Sequence, residues 1–358
     1  MKSSKPSSSP KEAPQAPAQD SGRCDLREPF VEWLRRNRTT VGVTTYLASK
    51  LLLLGVKDDG KQCLTSSGSP RCMGASASPD GQTVWICSQH QLWRLEKSPL
   101  PPTAPFDAEY AARMAFTVGD IDGHDVAILD DGPPVFVSAR YSCLARPSQR
   151  ACFELVWKPP FISRLAAEDR CHLNGLALRE GRPAFCTCVA ETDHIGGWRE
   201  YRDGGGVVLS VPDGEVVCRG LSMPHSPRWH NGQLYLINSG AGEFGRLDLA
   251  AGKFEPIAFL PGYGRGLHFA DGKAWIGLSD CRENRTFQGL PLDENLKKHG
   301  AESRCAVFSV DLATGETTEM ARFSGIIREL YDVFMLPGMS SPNVLALDQG
   351  LWHITEPA

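Results

Sequence analysis

The chain has 358 residues, with 38 Lys and Arg against 42 Asp and Glu, and carries a net charge of −4. Its basic residues are scattered, which argues against nucleic acid or an anionic membrane surface as a partner. Its 35 glycines and 26 prolines suit short strands and tight turns, and its longest apolar run, Leu51–Leu54, is far below the roughly 18 residues of a membrane span.

Residues 1–22 are rich in Ser, Pro and Ala and lack an apolar segment of the kind that directs secretion. They read as a disordered tail, with too little apolar surface to offset the entropy of ordering. A cytoplasmic location is the corresponding expectation. In DLREPFVEWLRRN, Leu26, Phe30, Val31 and Leu34 recur at helical spacing, so residues 23–39 are assigned to a short helix and linker on an outer face. The rest, residues 40–358, is expected to be one domain.

Six times beyond that point a short apolar strand runs into a polar turn and back into a second strand. The units begin at Cys72, His124, His172, His225, Arg265 and Tyr331. A strand repeat of this length marks an array whose units bury their faces only against neighbours. The fold class is therefore all-β, a six-bladed β-propeller with a short N-terminal helix. Seven blades is the alternative, because the long interval between Arg265 and Tyr331 could conceal another unit. TTYLASKLLLLGV, near the N-terminus, is expected to add outer strands to the last blade and close the ring, removing open edges.

Strand order separates a decorated face from a plain one. The handover segments (GDIDGHD, AEDRCHLN, GLSMPHSP, PGYGRG, IIRELYD) and the return loops lie on one face and are polar and long. The turns at the other face, such as HNG and ADG, are minimal hairpins. Function is expected on the decorated face, where long loops sit on a rigid scaffold.

His124, His172 and His225 each open an inner strand there, within one or two residues of one register. Three imidazoles around an axis suit a divalent metal such as zinc, iron or copper, with an open position for water or substrate. The competing reading is a polar ring that satisfies strand-end amides and ordered water. His268 lies two residues deeper in its strand, near the channel, and His194, in TDHIGGWRE, is a candidate fourth ligand or proton carrier. Arg140, Arg199, Arg265, Arg282 and Arg328 map to the same face from five blades and would favour an anionic ligand. Each could instead pair with a nearby carboxylate in a loop-ordering network.

The twelve cysteines fall singly within or near strands and form no C-x-x-C pair, so they read as buried structural thiols in a reduced setting. GAGEFG matches a dinucleotide fingerprint but precedes a strand rather than a helix, so no nucleotide cofactor is expected. There is no G-x-S-x-G elbow and no H-E-x-x-H.

The Asn-Gly-Leu-Ala core, Asn174 to Ala177, resembles a segment of the gluconolactonase and strictosidine-synthase-like six-bladed propellers. That resemblance implies a metal-ligand role for Asn174. The acidic ligand those propellers carry at the start of an early blade is missing from CMGASASPDG, which argues against a calcium-type lactonase site. A longer resemblance runs from about residue 30 onward. HLNGLAL, TDHIGGWRE, GLSMPHSPRWHNGQLYLINSGAGE, LPGYGRGLHF and GLSDCRENRTFQGLPL together resemble a bacterial family of conserved hypothetical proteins. It implies a propeller-like fold and supplies no activity.

Two functional classes follow. One is a metal-dependent enzyme with His124, His172, His225 and Asn174 as ligands. His194, Arg199, Arg265 and Arg282 would then act on an anionic small molecule or peptide. The other is a non-catalytic propeller that binds a protein or peptide through GGWRE (Gly196–Glu200) and RTFQGLPL (Arg285–Leu292), since Trp and Arg dominate binding hot spots; a monomer is expected in either case.

Overall fold

Aliphatic and β-branched runs that alternate with Asn-Gly and Asp-Gly pairs fold here into antiparallel ladders. At Asn231–Gly232 and Asp271–Gly272 both turn residues have positive φ (47° and 79°; 53° and 69°), the conformation of a tight turn matched to strand twist. A computed structural model describes residues 22–281 and 288–347 and arranges these ladders as six sheets.

Blade one holds Ala75–Ala77, Thr83–Cys87, Gln91–Lys97 and Ala108–Thr117, and blade two Gly123–Ala127, Val135–Ser138, Cys143–Arg146 and Glu154–Trp157. Blade three holds Leu173–Arg179, Arg182–Cys188, Gly206–Ser210 and Val216–Leu221, and blade four Pro224–His230, Gln233–Asn238, Glu243–Asp248 and Lys253–Phe259. Blade five holds Tyr263–Ala270, Lys273–Ser279, Ala306–Asp311 and Thr317–Ser324. Blade six combines the inner strand Val333–Pro337 with Thr39–Thr45, Lys50–Val56 and Gln62–Gly68. Each inner strand packs on the next and the sixth packs on the first, so the ring is closed. The core lies between blades: Val137, Leu144, Leu176 and Leu209 interdigitate across blades two and three, and Ile237, Phe244, Ile276 and Phe308 across four and five.

N-terminal strands close the ring, as expected, but the sixth unit is not a hairpin. Its second half, Pro342–Val344, runs parallel to Ala108–Tyr110 at the outer edge of blade one. The place beside Val333–Pro337 belongs to Thr39–Thr45, which is buried throughout. Among the described residues, the long interval after Arg265 holds no seventh blade. It contains a connection with a short helix, Pro291–Lys298. Residues Arg23–Leu26, assigned to helix and linker, instead form a fifth strand on Thr317–Ser324. The helix Glu28–Asn37 follows, with Pro at its first turn and Arg38 in the left-handed conformation at its end. It buries Phe30, Trp33 and Leu34, and Trp33 packs on Trp275 with ring centroids 4.3 Å apart.

A three-fold alternation locks the inner strands. Asp125, Ser226 and Asp332, in blades two, four and six, each accept the backbone N–H of the next blade: Leu176, Gly266 and Ala75 respectively. The equivalent positions of blades one, three and five are Gly74, Gly175 and Gly266. A Cβ there would stand 2.6 Å from Asp125 Cα, 2.3 Å from Pro227 Cδ and 2.6 Å from Val333 N, so glycine is required by the close approach. Arg228 spans the channel, donating to Asp125 Oδ2 at 2.7 Å and approaching Asp332 Oδ1 at 3.9 Å.

All twelve cysteines are free thiols, and ten are buried. Burial raises the thiol pKa at Cys72, Cys87, Cys186 and Cys305, among others, as for small hydrophobes in a core. No described helix is long and apolar enough to cross a membrane. The expectations for residues 1–21, Arg282 and Arg285–Phe287 fall outside the described residues.

Candidate functional site

The alternation fixes the true register at the channel mouth. The residue before each Gly/Asp/Ser position is Met73, His124, Asn174, His225, Arg265 or Tyr331. His124 and His225 are therefore equivalent, and both use the same local device: Nδ1 lies 2.9 Å from the carbonyl oxygen two residues earlier, at Asp122 and Met223. His172 is not in that register. It stands two residues ahead of Asn174, at the position of Arg71, Asp122 and Met223 in the neighbouring blades. All four adopt positive φ, between 47° and 52°. For non-glycine residues this is a sparsely populated conformation, and its recurrence marks a constrained rim.

That turn lifts His172 over the channel and brings it to His124. Their Nε2 atoms are 3.2 Å apart and the rings meet edge to face. His172 Nδ1 is 2.9 Å from Asp169 Oδ1, and His124 Nδ1 faces the Asp122 carbonyl. With both rings neutral, each Nδ1 donates to its acceptor and the two Nε2 atoms present lone pairs to each other. Two such lone pairs repel unless a proton or a metal ion lies between them. Two imidazole nitrogens bound to one tetrahedral metal at about 2.0–2.1 Å stand roughly 3.3 Å apart, so this spacing fits a metal. Asp122 completes the group: one ligand atom from each of Asp122, His124 and His172 lies within 4.8 Å of the others, and together they could hold a metal ion.

Electrostatics and packing support the group. Burial pushes the His124 imidazole down to about 4, against the pull of Asp122. Burial opposes the charge of Asp122, but His124, His172, Arg71 and Arg140 hold its carboxyl below the usual range. Arg71 hydrogen-bonds Asp122 Oδ1. Asp169 accepts from both His172 and the Trp198 indole (2.7 Å), and Trp198 stacks on His172 at 4.2 Å between centroids. A carboxylate that fixes tautomer and a ring that fixes orientation are what metal-bound histidines have behind them.

The other expected ligands meet each other. His225 Nε2 lies 3.4 Å from Asn174 Nδ2, and Asn174 Oδ1 accepts from Thr187 at 2.7 Å. The His225 lone pair therefore receives an amide N–H, and His225 stands outside the Asp122–His124–His172 group. Burial, with Arg265 nearby, pushes its pKa well down.

Arg265 is buried at the mouth with Tyr46, Tyr263 and Tyr331 around its guanidinium at 5.6, 5.0 and 4.8 Å. Arg199 lines the same cavity, covering Trp198 at 4.5 Å and approaching Asp169 at 3.7 Å. His194 is exposed and does not line the cavity, and Arg282 lies outside the described residues. Arg140 pairs with Asp120, and His268 lines the plain-face mouth beside Trp33. The cavity measures ≈ 210 Å³. Sequence reasoning missed Asp122, Asp169, Arg71 and Tyr46. The signal for Asp122 was its place two residues before a leading histidine, and for Asp169 its place three residues before His172.

A family model described as Domain of unknown function (DUF4915) matches residues 28–345. No curated protein matches the chain in sequence. A chain of a nidogen/laminin complex aligns with TM-score 0.51 and 12% identity over 84% of this chain and 99% of its own. A protein of unknown function from Bacteroides caccae aligns with TM-score 0.50 and 10% identity over 83% and 98%. A streptogramin B lyase structure gives TM-score 0.39 and 16% identity over 69% and 67%. At these identities, the first two likenesses are of fold alone.

Proposed function

This chain belongs to the DUF4915 family, and we propose that it is a metal-dependent enzyme acting on a small anionic molecule at the mouth of the propeller channel. One observation carries the reading: two imidazole Nε2 atoms face each other at 3.2 Å while both Nδ1 atoms are held by acceptors. Asp122, His124 and His172 would hold the metal. Bound there, a divalent ion supplies Lewis-acid or redox chemistry. Asp169 and Trp198 orient His172, and Arg71 holds Asp122.

The size of the cavity, ≈ 210 Å³, favours a small molecule over a peptide, being below the roughly 300–1,000 Å³ of drug-sized sites. Arg265 and a bound cation would both favour an anion. A partner-binding face is less well supported, because Trp198 is buried against His172 and Asp169 rather than presented to solvent.

The test is elemental analysis of full-length protein purified without chelator or affinity histidines. About one equivalent of metal is expected, with most of it lost in His172→Ala and most retained in His225→Ala. Equal metal content in wild type and His172→Ala, or none in either, overturns the reading.

A further inference from the structure

We propose that Tyr331 is a catalytic hydrogen-bond donor to an acceptor oxygen of the substrate, beside the candidate metal group. The proposal rests on the reading of this mouth as a metal-dependent site. It narrows the substrates to small molecules with a carbonyl or carboxyl oxygen at the reacting atom.

Tyr331 lines the same cavity as Asp122, His124 and His172. Its ring meets His124 edge to face at 5.4 Å between centroids, and Tyr46 in the same way at 5.9 Å. The backbone is tied on both sides of it: the Tyr331 N–H donates to the Thr44 carbonyl, and the Asp332 N–H to Thr44 Oγ1 at 3.0 Å. The phenol is thus fixed in place by the fold, as a group that stabilises developing charge must be.

Its oxygen has no work within the protein. Tyr331 is 4% exposed, and among the described residues its hydroxyl is buried without a hydrogen-bond partner. A buried hydroxyl in that condition costs free energy until an acceptor arrives. Packing does not call for the oxygen either, because a phenylalanine ring would make both aromatic contacts. Other donors at the mouth already have acceptors: Trp198 donates to Asp169, and Arg71 to Asp120 and Asp122. Phenols stay protonated below about pH 10, so the free group is an O–H next to the place where substrate would react. Negative charge that grows on a substrate oxygen strengthens the hydrogen bond from a fixed donor, which lowers the barrier.

The experiment loads full-length protein with cobalt(II), whose visible spectrum reports its ligands, and titrates it with sodium azide at constant ionic strength. Tyr331→Phe keeps the ring contacts and should take up as much cobalt as the wild type. It should bind azide about tenfold more weakly or worse, the usual effect of losing a hydrogen bond to a charged group. Without metal, Tyr331→Phe should melt no lower than the wild type, since the oxygen it removes has no partner in the protein. Undiminished azide affinity in the variant, no azide binding to cobalt-loaded wild type, or a lower melting temperature of the metal-free variant overturns the proposal. A tyrosinate charge-transfer band in copper(II)-loaded protein that vanishes in Tyr331→Phe would make Tyr331 a ligand, and overturns it too. Cobalt bound alike by both proteins, with azide indifferent to the substitution, sinks this proposal and spares the metal reading. Protein that takes up no cobalt ends both.

Discussion

Replacing Arg228 with Met removes the cation that neutralises Asp125 in the channel while keeping an apolar stem of similar length. Arg228 reaches Asp125 through Nη1 at 2.7 Å and Nη2 at 3.2 Å, and Asp332 Oδ1 at 3.9 Å. Both aspartate side chains are only 4% exposed, so the variant strands carboxylates in a low-dielectric passage. Breaking a buried pair from one side costs about 3–5 kcal/mol. With an unfolding entropy of about 2.1 cal/mol/K per residue, that lowers the melting temperature by about 4–7 °C. The sign with pH follows from Asp332. Burial pushes its carboxyl from 3.8 up to about 7, with Arg228 opposing and Asp125 adding. Its folded pKa exceeds its unfolded one, so the wild type loses stability as pH rises from about 4 to about 7. Without Arg228 the loss should extend to higher pH, making the deficit smaller near pH 5 and largest near pH 8. His268, held down to about 4 by burial and by Arg228, titrates below that window. Scanning calorimetry of both proteins at pH 5 and pH 8 measures the difference. A variant that melts with the wild type at pH 8, or with the same deficit at both pH values, would mean that water screens the channel and that the buried-pair argument fails.

Gly266→Ala should destabilise by more than about 2 kcal/mol in urea unfolding, because a Cβ would stand 2.6 Å from Val333 N at a residue with φ of 70°; a variant as stable as the wild type would refute the close-approach argument. Glu319, bonded by Arg27, Arg304 and Arg322, has its carboxyl lowered to about 2 by these arginines although burial opposes the charge. Its stabilisation is present above about 4.5 and lost as pH falls toward about 2. Glu319→Gln should cost about 1–2 kcal/mol near pH 7, allowing for solvent screening, and should make the N-terminal strand easier to cleave by protease; an unchanged cleavage rate would show that the arginine cluster does not hold that strand.

The blades were legible because their signals are local. Asn231–Gly232 and Asp271–Gly272 dictate hairpins whatever surrounds them, and TTVGVTT needs a sheet to hide in. What stayed illegible depends on partners far away in the chain. Nothing in PNV marks it as a parallel strand on blade one, since its pairing is decided by Glu109 and its neighbours more than two hundred residues earlier. His124 and His172 line one mouth, whereas His225 stands outside their group, and the three do not share one register. A histidine two residues before an Asn-Gly resembles one directly before an Asp or Ser until the next position is compared across blades. Aligning Gly74, Asp125, Gly175, Ser226, Gly266 and Asp332 would have shown His172 to be the odd one. Asp122 and Asp169 hid among handover carboxylates, where acidic residues usually face water.

The displaced register of His172 is what makes the site possible. Had it occupied the position of Asn174, it would have entered the inner ring as His225 does, its Nε2 facing a neighbour's amide. Two residues earlier, in a left-handed turn, it instead leans across the seam between blades two and three toward His124. Such a turn disfavours a β-carbon and must be held from outside, and Asp169 and Trp198 supply that hold through Nδ1 and the ring face. The scaffold below does not yield to accommodate it: Asp125, directly after His124, is tied to Leu176 and Arg228. The candidate metal group is therefore strained on one side and rigid on the other. This arrangement holds the two Nε2 atoms 3.2 Å apart.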